Sequence, residues 1–151
     1  MWALLLFTPV AWSQTAANQP TPEDRIIEIQ DVSGDVRVKF SSESEWEIAR
    51  KGMQIKQDGE IKTSKESLAT ILLDKQGATG KVDIKPDTWM RIAELDYDKT
   101  SKDKKTILDL ALGQVLVQAQ KLHGEDVFQV RTPTSTTSVR GTVFEVKVEE
   151  K

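Results

Sequence analysis

The chain alternates apolar and polar residues in several stretches, and this alternation predicts its secondary structure. In residues 144–149, apolar side chains alternate with charged ones, so one face is apolar and the other charged. Residues 36–41 show the same period of two, and so do Leu108, Leu110 and Leu112 with the residues between them. This period is typical of strands that are buried on one face only. The pattern therefore predicts an antiparallel β-sheet with one exposed face.

Shorter stretches of the same kind predict further strands, which are separated by turn residues. These weaker strand candidates are residues 25–30, 67–74, 81–85, 88–95, 127–132 and 136–139. Pairs such as Ser33-Gly34 and Asp58-Gly59 lie between the apolar stretches and favour turns. Many short strands with frequent turns predict an all-β domain, built either as a single compact β-solenoid-like roll or as a two-layer β-sandwich.

Two segments depart from this pattern. Residues 44–51 are a candidate for a two-turn helix, because Ser44 is a suitable N-cap and Gly52 would end the helix. Residues 96–106 are dense in charge and lack aliphatic side chains to anchor them, so we predict a mobile hairpin or loop there. The aspartates of that segment superficially resemble a calcium-binding loop, but interleaved lysines and the missing twelfth-position glutamate argue against a metal site.

The first residues have the features of a secretion signal. Residues 2–12 form an uncharged apolar run that is too short to span a bilayer. Ala11 and Ser13 are two positions apart, which matches the small-x-small rule of signal peptidase. We therefore predict a signal peptide at residues 1–13, cleavage after Ser13, and a periplasmic or secreted mature protein.

The residues that follow separate this signal from the folded body. Residues 14–24 are small and polar and include Pro20 and Pro22, as expected of a flexible linker. The regular alternation begins close to Arg25. We therefore assign residues 25–151 to a single domain, a size that gives room for one hydrophobic core.

The composition narrows the chemistry that is available. The chain contains no cysteine, which excludes disulfides and thiolate catalysis, and a single histidine, which excludes zinc sites of the usual composition. That histidine, His123, lies beside Gly124 in a predicted turn, with no nucleophile in a recognisable setting around it. A net charge of −3 argues against a nucleic-acid partner. We therefore predict a protein that is not an enzyme and that uses no cofactor or metal.

Two tryptophans have two possible roles. Trp46 and Trp89 are candidate platforms for stacking against sugars, but both have apolar neighbours in the sequence. Because aromatic side chains contribute large apolar areas to cores, we predict that both are core residues.

Several short motifs occur along the chain in a fixed order. Residues 46–52 read W-x-x-A-x-x-G, residues 59–63 read G-x-I-x-T, and residues 128–133 read F-x-V-x-T-P. The last motif, at residues 139–146, reads V-R-G-T-x-F-x-V and is the most specific. Taken together and in this order, over residues 32–148, the motifs resemble the FecR domain.

The resemblance singles out a set of positions to which we assign mainly structural roles, because glycine and apolar residues in a motif usually serve turns and packing. They are Gly34, Trp46, Gly52, Gly59, Thr63, Gly113, Thr132, Pro133, Val139, Arg140, Gly141, Thr142 and Phe144. Arg140 is in addition a candidate ligand contact, since a guanidinium group binds carbonyl and carboxylate oxygens well.

The resemblance also implies a function. FecR domains lie in the bacterial periplasm and are associated with signalling and binding, which implies a non-enzymatic exported domain. The expected partner is another envelope component, a protein or a polysaccharide, bound through sheet edges or loops. Two other interpretations stay open: a minor periplasmic carbohydrate-processing hydrolase, and a purely structural envelope domain. We expect no transmembrane helix in the mature chain.

Overall fold

A computed structural model of the chain describes residues 25–140 and 143–149. The predicted signal peptide and linker lie outside the described residues, and so do Gly141 and Thr142. Strands account for 56% of the structure, and the described part of the chain contains no α-helix. The all-β prediction is therefore confirmed.

Twelve strands and one short 3₁₀ turn make up the domain. They are β1 (Ile27–Ser33), β2 (Val36–Lys39), β3 (Glu47–Ile48), β4 (Gln54–Ile55), β5 (Glu60–Thr63), β6 (Leu68–Leu73), the 3₁₀ turn (Lys75–Gly77), β7 (Gly80–Ile84), β8 (Trp89–Tyr97), β9 (Lys104–Ala119), β10 (Val127–Arg131), β11 (Thr136–Ser138) and β12 (Val143–Val148). Each strand that the alternation predicts is present, with ends that differ by a few residues.

All twelve strands belong to one sheet, and the long strand β9 passes through both of its halves. The first part of β9 pairs antiparallel with β8 and parallel with β10. Its second part pairs antiparallel with β7 and β12. We call the strands β3-β2-β5-β8-β9-β10-β11 the front half, and β4-β1-β6-β7-β9-β12 the rear half.

The core is a single cluster to which both halves contribute. Ile61 of the front half and Ile71 of the rear half are fully buried in it, together with Phe128. The sheet curls into a half-barrel, so that one core serves both halves, and the narrower prediction of a solenoid-like roll or a sandwich is not confirmed. The continuity of β9 accounts for this shape, since a shared strand joins two layers that a sandwich would keep separate.

Within strand β9 the simple alternation fails partway along the strand. Leu108 and Leu110 face the core as predicted, and so do Val115 and Val117. These core-facing residues of β9 have even numbers in its first part and odd numbers in its second part. The change occurs because the pairing of β9 with β8 shifts by one residue between Trp89 and Met90. This bulge turns Leu112 towards the outer face, beside its partner on β8, so the prediction that Leu112 lies on the buried side is wrong.

The two segments that departed from the alternation also join the sheet. The predicted helix at residues 44–51 is wrong: Glu47 and Ile48 form β3, and the amide of Ala49 donates to the carbonyl of Val36 at 2.9 Å. Pairing with β2 therefore outweighs a local helix signal that is only two turns long. The charged segment is a hairpin, as predicted, but β8 and β9 extend into it and leave a loop of only residues 98–103.

No helix of the described residues has the length and apolar character that crossing a membrane requires.

Candidate functional site

The motif residues around the bend of β9 have structural roles. Gly113 has a φ of +94°, and a β-carbon at this position would overlap the Cα atom of Thr88. The amide of Gln114 donates to Oγ1 of Thr88 at 3.0 Å, which ties β9 to the residue before β8. Glycine is therefore required here both by the backbone conformation and by the close approach of two chains.

Thr63 connects the end of β5 to the turn that precedes β8. Its hydroxyl donates to the carbonyl of Lys85 at 2.6 Å and accepts a hydrogen bond from the amide of Thr88 at 3.0 Å. The side chain is buried, so these bonds satisfy the polar group inside the domain. The motif threonine and Gly113 thus fix the same corner of the front half from two sides.

The other early motif positions lie in turns or beside strands. Gly34 is in the turn between β1 and β2, Gly52 is in the turn before β4, and Gly59 directly precedes β5. Thr132 and Pro133 lie in the turn between β10 and β11, where Oγ1 of Thr132 accepts a hydrogen bond from the amide of Ser135 at 3.0 Å.

The last motif leads from the β10–β11 hairpin into β12. Val139 is buried, and its amide donates to the carbonyl of Phe128 at 2.8 Å. Arg140 is exposed and lines a hollow to which Phe128 and Ser138 also contribute. Phe144 is half-buried against the core. The role of Arg140 as a ligand contact stays a prediction.

The tryptophans are where the structure differs most from the prediction. The side chain of Trp89 is 41% exposed, and Trp46 is only half-buried, so the interpretation of both as core residues is wrong. Trp89 lies on the outer face because its neighbours Met90 and Ile92 take the inward positions of β8. The alternation of those residues was the signal that could have shown this.

A lysine lies between the two indole rings. The Nζ atom of Lys62 is 4.1 Å from the centroid of the Trp89 ring and 4.6 Å from that of the Trp46 ring. The Nζ atom of Lys39 is 5.7 Å from the Trp46 centroid. On the other side, Nε1 of Trp89 donates to Oε2 of Glu60 at 2.7 Å. Cation–π contacts and this hydrogen bond together hold the Trp89 ring in a defined orientation.

Strand register arranges this cluster into a row across the front half. Ile48 is opposite Arg37, which is opposite Lys62; Lys62 is opposite Trp89, and Trp89 is opposite Leu112. The row therefore combines two basic side chains with large apolar ones on the outer face. The exposed fraction of Ile48, at the end of this row, is 56%.

A second row, next to the first, alternates in charge. It runs in register through Lys39, Glu60, Arg91, Asp109 and Arg131. Nε of Arg131 donates to Oδ1 of Asp109 at 2.6 Å, and this partner raises the pKa of the Arg131 guanidinium above its ordinary value. Arg91 bonds to Asp58 at 2.7 Å, outside the row, and Glu60 accepts the bond from Trp89, so the row places charges of both signs on the outer face.

Beside Trp89 the outer face opens into a groove of about 870 Å³, which we call the Trp89 groove. Its apolar lining includes Pro86, Leu112 and Val148. Its charged lining consists of Arg37, Lys62, Lys65, Lys147, Asp87 and Glu149. Thr63 and Gly113 also line it, so the corner that the motif residues fix is part of the groove.

The histidine and the aspartates of the 96–106 segment lie elsewhere. His123 is exposed in the turn before β10, as predicted, and its amide donates to Oδ2 of Asp126 at 3.0 Å. The carboxylate of Asp98 accepts bonds from the amides of Thr100 and Ser101, and these bonds lower its pKa. Among the described residues, no group of three or more potential metal ligands comes together.

A buried ion cluster, which no local motif marks, fixes the start of the domain. Arg25 donates to both carboxylate oxygens of Asp74, at 2.9 and 3.0 Å, and to Oγ1 of Thr106 at 2.8 Å. The Nζ atom of Lys104 lies 3.3 Å from Oδ2 of Asp74. Burial raises the pKa of Asp74, but the hydrogen bonds from Arg25 and Thr79 and the charges of Arg25 and Lys104 outweigh it, so the pKa lies below its ordinary value.

Comparison with known proteins identifies the family. A protein-family model described as FecR protein matches residues 59–151, which include the motifs from Gly59 onwards; Gly34, Trp46 and Gly52 precede the matched residues. No curated protein and no solved structure matches the chain. FecR proteins are envelope-associated and signalling-related, and their domains are typically regulatory rather than enzymatic. Because the match covers more than half of the sequence, the chain belongs to the FecR family.

Proposed function

We propose that this chain is an exported, non-enzymatic FecR domain that binds another component of the bacterial envelope. The observation that carries the proposal is the Trp89 groove, where an exposed tryptophan and several basic side chains line one open surface. Exposed aromatic side chains with polar neighbours are typical of binding surfaces rather than of inert ones. Family membership supports a regulatory role, in which binding at this surface is the signal that the domain receives.

The groove changes the expected mode of binding. The sequence favours binding at sheet edges, by addition of a strand, but the groove lies mainly on the face of the front half and is bordered by the end of β12. Strand β5 lies between β2 and β8, and β8 lies between β5 and β9. Their backbone groups are therefore engaged on both sides, and a ligand of the groove contacts side chains.

Photo-crosslinking in the native cell envelope tests the proposal. A photoreactive amino acid in place of Ile48, which is exposed and lies opposite the groove residue Arg37 in the cross-strand row that includes Trp89, should form an adduct with a defined envelope component. The same amino acid in place of Gln30, which is exposed on β1 of the rear half and does not line the groove, is the matched control and should form no such adduct. Adducts at neither position, or equally at both, would contradict recognition by the front half.

A further inference from the structure

The Trp89 groove carries an excess of positive charge in a protein whose net charge is negative. Four basic side chains and two carboxylates line it, whereas the whole chain has a formal charge of −3. Arg37 pairs with Asp35 at 2.9 Å, and Lys147 pairs with Glu149 at 2.7 Å. Within the described part of the chain, Lys62 has no carboxylate within ion-pair distance and contacts aromatic rings instead. Arg37 and Lys147 are balanced in this way, and the carboxylate of Glu60 bonds to Trp89, so the positive charge that is complementary to an anion beside Trp89 is that of Lys62.

The same groove offers a flat apolar surface. The indole of Trp89 is 41% exposed, and its hydrogen bond to Glu60 fixes the ring. Leu112 lies next to Trp89 in the cross-strand row. A ring held in this way loses little conformational entropy when a ligand stacks on it.

The backbone around the groove distinguishes two kinds of anionic ligand, an acidic peptide and an acidic sugar chain. An extended acidic peptide usually binds by main-chain hydrogen bonds to a sheet edge; the central strands β5 and β8 offer none around Trp89, and the edge strand β12 borders the groove only with its end. A sugar chain requires no such bonds, since the C–H face of a pyranose stacks on an aromatic ring. The hydroxyl groups of a sugar chain form hydrogen bonds with polar side chains, and the neighbouring row from Lys39 to Arg131 places charged side chains on the same face.

We propose that the Trp89 groove binds an acidic polysaccharide, with a sugar ring stacked on Trp89 and a uronate carboxylate held by Lys62. This inference rests on the proposed function and specifies its ligand class. It assigns Trp89 to stacking and Lys62 to charge recognition. Without ligand, Lys62 contacts the two indole rings. On binding, Lys62 exchanges this contact for one with the uronate carboxylate.

Titration of the full chain with oligogalacturonate, followed by tryptophan fluorescence and calorimetry, tests the inference. The methyl-esterified form of the same oligomer keeps the sugar rings but lacks the charge, and poly-L-glutamate keeps the charge but lacks the rings. We expect the free-acid oligomer to bind, with an affinity that falls as salt rises, and the other two probes to bind at least about tenfold more weakly.

Three variants assign the contacts. Trp89→Val, which keeps a strand-forming residue, should weaken binding about tenfold, and Lys62→Gln about threefold. Lys81→Gln is the matched control, because Lys81 is an outward lysine of the rear half and its removal changes the net charge equally. Circular dichroism and thermal melts verify that each variant is folded.

Several results would overturn the inference. Equal binding of the methyl-esterified oligomer would remove the role of charge, and equal binding of poly-L-glutamate would indicate an acidic protein partner. Absence of oligogalacturonate binding, or an unchanged affinity of both Trp89→Val and Lys62→Gln, would reject the site. In each case, an adduct at position 48 in the crosslinking experiment would still support the proposed function, so the two failures are distinguishable.

Discussion

At the scale of single residues, two glycines of the motifs share a backbone conformation but differ in their surroundings. Gly113 has a φ of +94° and faces the backbone of Thr88 at a distance that leaves no room for a β-carbon. Gly52 has a φ of +88°, and nothing lies within 4 Å of where its β-carbon would be. The pair therefore separates the cost of the conformation from the cost of the close approach.

We expect Gly113→Ala to lower the free energy of unfolding by more than about 2 kcal/mol, because strain and steric overlap add. Gly52→Ala should cost about 1 kcal/mol, the conformational part alone. Denaturant titration of both variants measures the difference. Equal losses would contradict the close contact between β9 and Thr88.

The ion pair of Asp74 and Arg25 is a second feature of this scale, and it makes stability depend on pH. The folded-state pKa of Asp74 is lowered, so its stabilising contribution is fully present above the unfolded-state pKa of about 4. It is lost as the pH falls through the folded-state value, where the carboxyl group takes up a proton.

Asp74→Asn should therefore destabilise the domain by about 3 kcal/mol at neutral pH, because it leaves the buried Arg25 guanidinium without its counterion. The difference from the wild type should narrow as the pH falls below about 4. Asp35→Asn is the control: its partner Arg37 is about half exposed, and no measurable loss is expected. Thermal melts across this pH range measure the stability of the wild type and of both variants. A difference between the wild type and Asp74→Asn that stayed constant with pH would contradict the role of the Asp74 carboxylate.

At the scale of elements, the terminal strand β12 follows the alternation from which it was predicted. Val146 is buried and pairs with Val115 of β9, while Glu145 and Lys147 are exposed. Phe144 is only half-buried, because it lies towards the end of an edge strand. Its contribution to stability is therefore smaller than that of a fully buried ring.

Phe144→Ala should cost about 2 kcal/mol, below the usual range for a fully buried phenylalanine, and Glu145→Gln should have no measurable effect. Thermal melts of the two variants test the register of β12. A tolerated Phe144→Ala beside a damaging Glu145→Gln would mean that the strand is shifted by one residue, which exchanges its two faces.

The same scale shows why the strands could be predicted and some of their details could not. Alternation is a local property of a strand, so it located β2, β9 and β12 directly. The bulge that turns Leu112 outwards depends on the partner strand β8, and the pairing of Ile48 with Arg37 depends on β2. Both are decided by tertiary contacts that a single stretch of sequence does not contain.

The candidate site was less predictable for the same reason. The sequence identifies Trp89 as a large aromatic residue, and its exposure follows from the alternate positions of Met90 and Ile92 on the same strand. Lys62 could not be linked to it, since the two residues meet only through the register of β5 and β8. The Asp74 cluster likewise joins residues that are distant in the sequence.

At the scale of the whole molecule, the predicted export of the chain is open to a direct test. The uncharged run of residues 2–12 and the Ala11-x-Ser13 pair predict that the mature protein begins at Gln14. Mass spectrometry of the protein from the periplasm or the medium should show this N-terminus. An intact Met1 on protein recovered from the cytoplasm would contradict the proposed localisation.

The single strand β9 has a consequence for how the molecule responds to a ligand. Its first part belongs to the front half and its second part to the rear half, so neither half can separate from the sheet without disrupting a strand of the other. The two halves should therefore open as one cooperative unit, with similar hydrogen-exchange protection in β5 and β6. A ligand held in the Trp89 groove would then slow hydrogen exchange at rear-half amides that it does not contact. Binding on one half would in this way stabilise the whole sheet.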